Sequence, residues 1–182
     1  MKKIFFIPLF VVILCSALSC EKDDSLDPRP LLVEGQFMRL DITRDRIDFN
    51  NLSTSSFGGT LTNPSNTVVR YELFVRWVRA GELSSEYIPL YVDPITTFPQ
   101  ELAITAQDVQ DAYARIGRTI TIQQGDIFRF IAYSYDANGR RAGYRDLSAT
   151  IRGEAAYKQA YKFNTSVETN LTSPINNYQT TP

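Results

Sequence analysis

The chain contains no histidine, so carboxylates are the side chains in this sequence best suited to catalysis or metal binding. Histidine is the commonest general base near neutral pH and a common metal ligand, so Ser-His-Asp catalysis, Cys-His catalysis and His-ligated zinc are excluded. Asp108 and Asp111 stand one helical turn apart, and paired carboxylates can hydrolyse glycosidic bonds. On a short surface helix such a pair is typical of a solvated face, and we interpret Asp108 and Asp111 in this way.

Two further acidic positions stand beside turn signals. Asp126 follows Gly125 directly, a pattern typical of a turn whose side chain accepts hydrogen bonds from nearby backbone amides. Asp136, Asn138 and Gly139 resemble part of a calcium loop but lack the later bidentate glutamate. We interpret this second group as a hairpin turn. We therefore predict that the protein is not an enzyme and holds no metal or cofactor.

Both cysteines, Cys15 and Cys20, lie near the beginning of the sequence. The rest of the chain therefore has no pair for a disulfide bond and no catalytic thiol. Two lysines precede the apolar stretch Ile4–Leu14, which is too short to span a bilayer but typical of a signal peptide. We predict that residues 1–19 form a cleaved leader.

Cys20 follows the small and apolar residues 17–19, which resemble the bacterial lipobox processed by lipoprotein signal peptidase. We predict that Cys20 carries lipid such as palmitate, which holds the chain to a membrane. An ordinary secreted protein, cut after Ala17 or Ser19, is the alternative. Residues 20–33 are expected to form a flexible tether.

Four charged residues directly after the cysteine resemble the short export signal of Bacteroidetes lipoproteins. That signal sends lipoproteins to the outer face of the outer membrane, so we predict a lipid-anchored protein that faces the cell exterior. A solvated charged linker is the alternative interpretation. The four residues are Glu21, Lys22, Asp23 and Asp24.

The charge balance argues against a nucleic-acid partner. Because the leader contains two lysines and no acid, the rest of the chain has 17 basic and 20 acidic side chains, a formal charge of −3. Nucleic-acid binding requires a basic surface that neutralises phosphates. The predicted contact with a membrane is through the N-terminal lipid.

Residues 34–167 alternate short β-favouring runs with turn residues and have the size of one domain. The strongest predicted strand is Val68–Val78, in which Val69, Tyr71 and every second residue to Trp77 fall on one core-facing side. The other predicted strands are Gln36–Leu40, Gly59–Leu61, Tyr87–Val92, Leu102–Ile104, Thr119–Ile122, Ile127–Tyr135, Tyr144–Ile151 and Tyr157–Val167.

One segment has a helical signature, because Thr105 and Asp108 have the spacing of a capping box before apolar residues at helical intervals. Many short strands with one short connecting helix predict an all-β fold. The predicted form is a single antiparallel immunoglobulin-like β-sandwich, with a small barrel as the alternative. Residues 168–182, rich in Asn, Thr and Pro, are expected to form a loose polar C-terminal tail.

The order of elements after Thr97 carries a family resemblance. A threonine-capped helix is followed by Gly125-Asp126, by the aromatic strand Ile127–Phe130 and by the Asp-x-Asn-Gly hairpin at residues 136–139. This pattern resembles small Bacteroidetes lipoproteins encoded beside outer-membrane nutrient importers of the starch-utilisation (SusC/SusD) type. The resemblance covers most of residues 34–167 and implies surface location and SusC/SusD-type transporter subunits as partners, without any catalytic residue.

These observations lead to two functional hypotheses. The first is a non-enzymatic accessory component of a SusC/SusD-type nutrient import system, with glycan as the expected nutrient. The alternative is an independent carbohydrate-binding lipoprotein. Aromatic rings can stack on a ligand or anchor a partner, and those near strand ends or loops are the candidates. The predicted ligand-binding residues are Tyr87, Tyr91, Tyr135 and Tyr144.

Overall fold

The alternating segments of the sequence form two β-sheets in a computed structural model, which describes residues 35–79, 86–173 and 175–179. The fold is all-β, with 41% strand and few helices. The helices are α1 (Ala106–Arg115) and α2 (Ala149–Gly153). The strands are β1 (Arg39–Arg44), β2 (Ile47–Asp48), β3 (Ser56–Thr62), β4 (Val68–Val78), β5 (Ile88–Pro89), β6 (Gln100–Thr105), β7 (Ile127–Asp136), β8 (Arg141–Gly143) and β9 (Lys162–Glu168).

The two sheets differ in size. The smaller sheet has the strand order β1-β3-β6, and the larger has the order β2-β9-β7-β4-β5. Strand β8 pairs with the end of β7 that β9 leaves unpaired. The pairs are antiparallel except for β2 and β9, which are parallel. The predicted antiparallel arrangement is thus correct for all but this one short pair.

The inner faces of the two sheets pack through aromatic rings. Phe57 of β3 lies 5.7 Å from Phe130 of β7 and 5.9 Å from Phe163 of β9, measured between ring centroids. All three rings are fully buried. Each contributes roughly 1.5–3 kcal/mol through removal of its apolar surface from water.

Two glycines allow β3 to lie between its neighbours. A Cβ atom on Gly58 would lie 2.1 Å from the carbonyl oxygen of Leu102, and one on Gly59 would lie 1.9 Å from that of Asp41. Gly58 also has a φ of +147°, which side-chain-bearing residues rarely adopt. Alanine at either position must therefore displace the backbone of β1 or β6.

The predicted strand Val68–Val78 is confirmed with the bounds that the sequence indicated. Tyr71, Leu73, Val75 and Trp77 face the core as expected. The prediction for Val69 was wrong, because a register shift between Val68 and Arg70 turns its side chain outward and leaves it 48% exposed.

Helix α1 begins as the capping pattern predicts. The Thr105 hydroxyl accepts a hydrogen bond from the Asp108 backbone amide at 3.1 Å, and the Asp108 carboxylate accepts one from the Thr105 amide at 2.7 Å. Two amides that the first turn leaves without helical partners are thereby satisfied. The helix connects β6 to β7.

Several of the predicted strands require correction, including Tyr87–Val92, of which only Ile88–Pro89 forms a strand. Tyr144–Ile151 is not a strand: Tyr144–Asp146 forms a 3₁₀ turn, and α2 then begins beyond Ser148, whose hydroxyl accepts from the Ile151 amide at 3.3 Å. The domain therefore has a second short helix besides the predicted one. Residues 119–122 form no strand, and the last strand begins at Lys162 instead of Tyr157.

The expectation of a loose C-terminal tail was wrong for residues 175–179. Asn177 is buried and donates hydrogen bonds to the carbonyl oxygens of Asp45 at 2.6 Å and Asn164 at 2.9 Å. The Tyr178 hydroxyl donates to the carbonyl oxygen of Leu40 at 2.6 Å. These bonds fasten the end of the described chain to β1 and β9.

Candidate functional site

A cleft of about 840 Å³ lies on the outer face of the larger sheet. Its floor comes from β4, β7 and β9, and its walls come from β8, the 3₁₀ turn after it, α2 and the residue before β5. Cavities of this volume are typical of small-molecule sites, which span about 300–1,000 Å³. The side chains most relevant to binding are Arg76, Tyr87, Tyr133, Arg141, Tyr144 and Lys162.

The floor follows from strict alternation in β4 and β7. Every second residue of each strand is buried in the core, so the intervening ones form the outer face. The register sets Arg76 opposite Arg129 and Phe74 opposite Ile131. Outer-face side chains on both strands are half-buried, because neighbouring segments partly cover the sheet.

Tyr133 is held in one orientation by its neighbours. Its ring meets Phe74 edge-on, with centroids 5.7 Å apart and an interplanar angle of 79°. Gly143 is its partner on β8, and a Cβ atom there would lie 2.9 Å from the ring. The Cζ atom of Arg141 lies 4.6 Å from the ring centroid. The absence of a side chain at Gly143 thus lets the Tyr133 ring lie against β8.

Tyr144 and Tyr87 carry further rings that line the cleft beside cations. The Tyr144 centroid lies 4.9 Å from Lys162 Nζ and 6.0 Å from Arg152 Cζ. The Tyr87 centroid lies 4.7 Å from Arg76 Cζ. Such cation–π contacts orient both partners, each contributing roughly 0.5–1 kcal/mol at exposed sites. The cleft therefore combines aromatic faces with positive charge.

Positive charge predominates around the cleft. Among its described lining residues, the cations are Arg76, Arg141, Arg145, Arg152 and Lys162, and Asp146 is the acid. The Asp146 carboxylate accepts a hydrogen bond from the Gly143 amide at 2.7 Å, which fixes the turn. Burial lowers the pKa of Lys162, and the charges of Arg129, Arg145 and Arg76 lower it further. The floor thus has a positive potential.

Beneath the floor, the Tyr161 side chain is anchored in the core. Its hydroxyl donates to the carbonyl oxygen of Gln36 at 2.7 Å and lies 2.8 Å from the Ser134 hydroxyl. Burial raises the pKa of Tyr161 to about 12. This phenol therefore stays neutral and supports the site structurally.

The structure brings two of the four predicted tyrosines, Tyr87 and Tyr144, into the cleft. Tyr135 lies on the same face of β7 but outside the lining, where its hydroxyl donates to Glu72 at 3.0 Å. Burial raises the pKa of Tyr135, and the Glu72 carboxylate raises it further. Tyr91 packs against the hydrophobic core, and burial raises its pKa as well. Tyr91 is thus not part of the cleft.

Sequence reasoning missed Tyr133 and the cations. Tyr133 alternates with Arg129, Ile131 and Tyr135 along the outer face of β7, a pattern that was available from the sequence. The positive charge of the cleft wall was also visible in the sequence, because residues 140–152 contain four arginines. This cluster of arginines was not recognised because the segment was predicted to be a strand, and a regular strand would have placed those side chains on two faces.

The acidic candidates have structural roles. The Asp126 carboxylate is 1% exposed, pairs with Arg79 and accepts from the Gln123 amide at 2.9 Å, so the turn interpretation is confirmed. Asp136 accepts from the Asn138 and Arg140 amides, both at 2.9 Å, as a hairpin turn requires. The described residues contain no group of three or more His, Cys, Asp or Glu side chains placed to hold a metal ion. The absence of enzyme activity and of a cofactor stays a prediction.

The leader, Cys20 and the charged residues at 21–24 lie outside the described residues. Within the described part of the chain, no helix is long and apolar enough to cross a bilayer. No protein-family model matches this chain, and no curated protein or solved structure matches it.

Proposed function

We propose that this chain is a non-enzymatic lipoprotein of the outer cell surface that acts as an accessory component of a SusC/SusD-type nutrient import system. Its anchor is the lipid on Cys20, and its domain presents a glycan to the importer. The observation that carries the glycan-binding part of this proposal is the cleft itself, where Tyr87, Tyr133 and Tyr144 surround a volume of about 840 Å³.

The chemistry of the cleft suits a carbohydrate. A sugar ring has apolar C–H faces and a rim of hydroxyl groups, so it needs both flat apolar surfaces and hydrogen-bond donors. Aromatic rings provide the first, and guanidinium groups such as those of Arg76 and Arg141 provide the second. Because Phe74 and Gly143 fix the Tyr133 ring, little side-chain entropy is lost on binding.

We also propose that the domain is immunoglobulin-like. In such sandwiches strands A, B and E share one sheet, while C, F and G form the other. Here β1, β3 and β6 match the first group in chain order, and β4, β7 and β9 match the second. The parallel pairing of β2 with β9 and the position of β5 beside β4 are additions to that pattern. The strand order therefore supports the assignment.

The second candidate is an independent carbohydrate-binding lipoprotein. It is favoured by the cleft, because the described lining includes Tyr87, Tyr133 and Tyr144, whose rings can stack on a sugar. Such a site can hold a ligand without a transporter subunit. The two candidates share the glycan site and the anchor, and they differ in the protein partner.

The discriminating experiment is mass spectrometry of proteins that co-purify with the native lipoprotein after gentle detergent extraction. Recovery of a transporter and its substrate-binding lipoprotein supports the importer role. Recovery of this lipoprotein alone, from an extract in which a known importer stays intact, supports independent glycan binding. A Cys20→Ser variant is the anchor control, and its retention in the membrane fraction would contradict lipidation at this residue.

A further inference from the structure

Three cations follow one row across the outer face of the larger sheet. Arg76 and Lys162 line the cleft, and Arg129 stands beside them outside its lining. Arg76 of β4 and Arg129 of β7 are direct cross-strand partners. Lys162 of β9 pairs with Ile131, so it stands diagonally beside Arg129 on the same face. Directly opposite side chains have Cβ atoms about 4.5–5.5 Å apart, and like charges at that distance destabilise a sheet. This row therefore works against the stability of the fold.

Arg76 and Arg129 also lack carboxylate partners among the residues that the structure describes. The Nε atom of each is buried without a hydrogen-bond acceptor. Three other arginines have a buried Nε without an acceptor, but each forms an ion pair: Arg39, Arg44 and Arg70. Arg76 and Arg129 thus combine mutual repulsion with the lack of a carboxylate partner, and a bound anion would offset the repulsion.

We propose that the cleft selects acidic saccharides, whose carboxylate or sulfate groups bind between Arg76, Arg129 and Lys162 while the sugar rings lie against Tyr133 and Tyr144. This inference rests on the proposed glycan-binding function and names its ligand class. A planar guanidinium can donate two parallel N–H bonds to the oxygens of one anionic group, which adds geometric specificity to the charge attraction.

The shape of the site favours a saccharide over other anionic ligands. A membrane surface is met by exposed basic residues, whereas Arg76 and Lys162 line a concave cleft with aromatic walls. Arg76 lies 4.7 Å from the Tyr87 ring and Arg141 lies 4.6 Å from the Tyr133 ring, so charge and aromatic surface alternate. The negative charge of the chain beyond its leader disfavours nucleic acid.

The positive potential of the floor supports the same conclusion. The pKa of Lys162 is lowered by burial and by the charges of Arg129, Arg145 and Arg76, so these positive charges lie close enough to act on Lys162. An anion among them would offset that repulsion. Its binding should weaken as salt is added, because mobile ions screen charged pairs that are partly open to solvent.

The test is titration calorimetry on the mature lipoprotein in detergent micelles. The probes are oligogalacturonate and an oligosaccharide of chondroitin sulfate, each compared with a neutral counterpart whose carboxyl groups are reduced and whose sulfates are removed. At least one acidic probe is expected to bind about tenfold or more tightly than its counterpart, which is the smallest effect of a hydrogen bond to a charged group. Arg129→Gln should remove that preference, and so should Arg76→Gln.

Arg118→Gln is the matched control, because Arg118 is an exposed arginine outside the lining of the cleft. It should keep the preference for the acidic probe. Thermal unfolding provides the readout that separates binding from folding. Because Arg129→Gln removes a like-charge contact, its melting temperature should equal or exceed that of the wild type. A lower melting temperature with the preference intact would assign Arg129 a structural role and overturn the inference.

Other outcomes separate the inference from the proposed function. Equal affinity for acidic and neutral probes overturns the charge selection and leaves glycan binding in place. No affinity for either series, or for neutral host and plant polysaccharides, overturns both. Binding of inorganic phosphate or of phosphatidylglycerol vesicles, without saccharide binding, assigns the cations to phosphate groups and also overturns the inference.

Discussion

Replacing Asp126 by asparagine perturbs the most buried ion pair among the described residues. The Asp126 carboxylate is 1% exposed and receives two bonds from Arg79, with Nε at 2.8 Å and the second nitrogen at 2.9 Å. Arg79 also lies 4.6 Å from the Trp77 ring and is 19% exposed. Asparagine keeps the shape of the side chain but removes its charge, so the largely buried guanidinium loses its charge attraction to residue 126.

The expected cost is about 3 kcal/mol, at the lower end of the about 3–5 kcal/mol typical of broken buried ion pairs. The lower end applies because Arg79 also donates to the carbonyl oxygen of Thr121 at 2.5 Å, which the substitution leaves in place. For a domain of this size, each kcal/mol lowers the melting temperature by about 2–4 °C. The variant should therefore melt about 6–12 °C below the wild type.

The pH dependence provides a second check on the same pair. Burial raises the pKa of Asp126, but bonds from Arg79 and from the Gln123 amide lower it more, so the net shift is downward. A group whose pKa is lowered by folding stabilises the protein above its unfolded-state pKa, and this contribution is lost as pH falls through the folded-state pKa. The difference in the free energy of unfolding between wild type and variant should reach its full value near neutral pH and should decrease in acid.

The assay is urea and thermal unfolding of wild type and Asp126→Asn, followed by circular dichroism from neutral pH into acid. Asp93→Asn is the control, because Asp93 is exposed and lies in a loop between β5 and β6. A loss below about 1 kcal/mol, the usual upper value for surface pairs, would refute the reasoning. A difference that grows as the pH falls would refute it as well.

Three further changes test other parts of the structure. Thr105→Ala should cost about 1 kcal/mol in urea unfolding, because it removes a cap of α1; an unchanged midpoint contradicts the capping role. Gly143→Ala should weaken glycan binding measured by calorimetry, because a Cβ atom there displaces the Tyr133 ring. Asn177→Ala should cost about 1–3 kcal/mol and speed proteolysis of the C-terminal segment, since two carbonyls lose their donor; unchanged digestion argues against that attachment.

The elements that sequence reasoning predicted well have strong local signals. Strand β4 alternates over its whole length, and its inner face at Tyr71, Leu73, Val75 and Trp77 is buried as expected. The capping box of Thr105 specified the start of α1 through bonds between residues three apart. Alternation and capping depend on short-range chemistry, so one sequence suffices to identify them.

The mispredicted elements are of two kinds, one held by local turns and caps and the other by contacts that are distant in the sequence. Tyr144 begins a 3₁₀ turn that is held by Asp146, and Ser148 caps a helix where apolar alternation had suggested a strand. Asn177 is anchored by carbonyl groups of Asp45 and Asn164, one of which lies 132 residues away. Composition predicts a loose tail there, because tertiary hydrogen bonds of this kind leave no periodic pattern.

The candidate site was predicted only in part for a similar reason. Placing tyrosines near strand ends identified Tyr87 and Tyr144, which line the cleft. Tyr133 was missed because a residue in the middle of a strand is more often a core residue. Alternation along β7 places Tyr133 on the outer face, but its position in the cleft also depends on the register of β7 with β8, which could not be derived from a single sequence.

The most direct test of glycan binding in the cleft is a polysaccharide array probed with wild type, Tyr133→Ala and Tyr157→Ala. Tyr157 is the control, because it is a 40% exposed tyrosine outside the lining of the cleft. Wild type and Tyr157→Ala are expected to bind the same polysaccharide, whereas Tyr133→Ala, shown to be folded by circular dichroism, is expected to lose that binding. Full binding by Tyr133→Ala, or no binding by the wild type, would contradict the central claim.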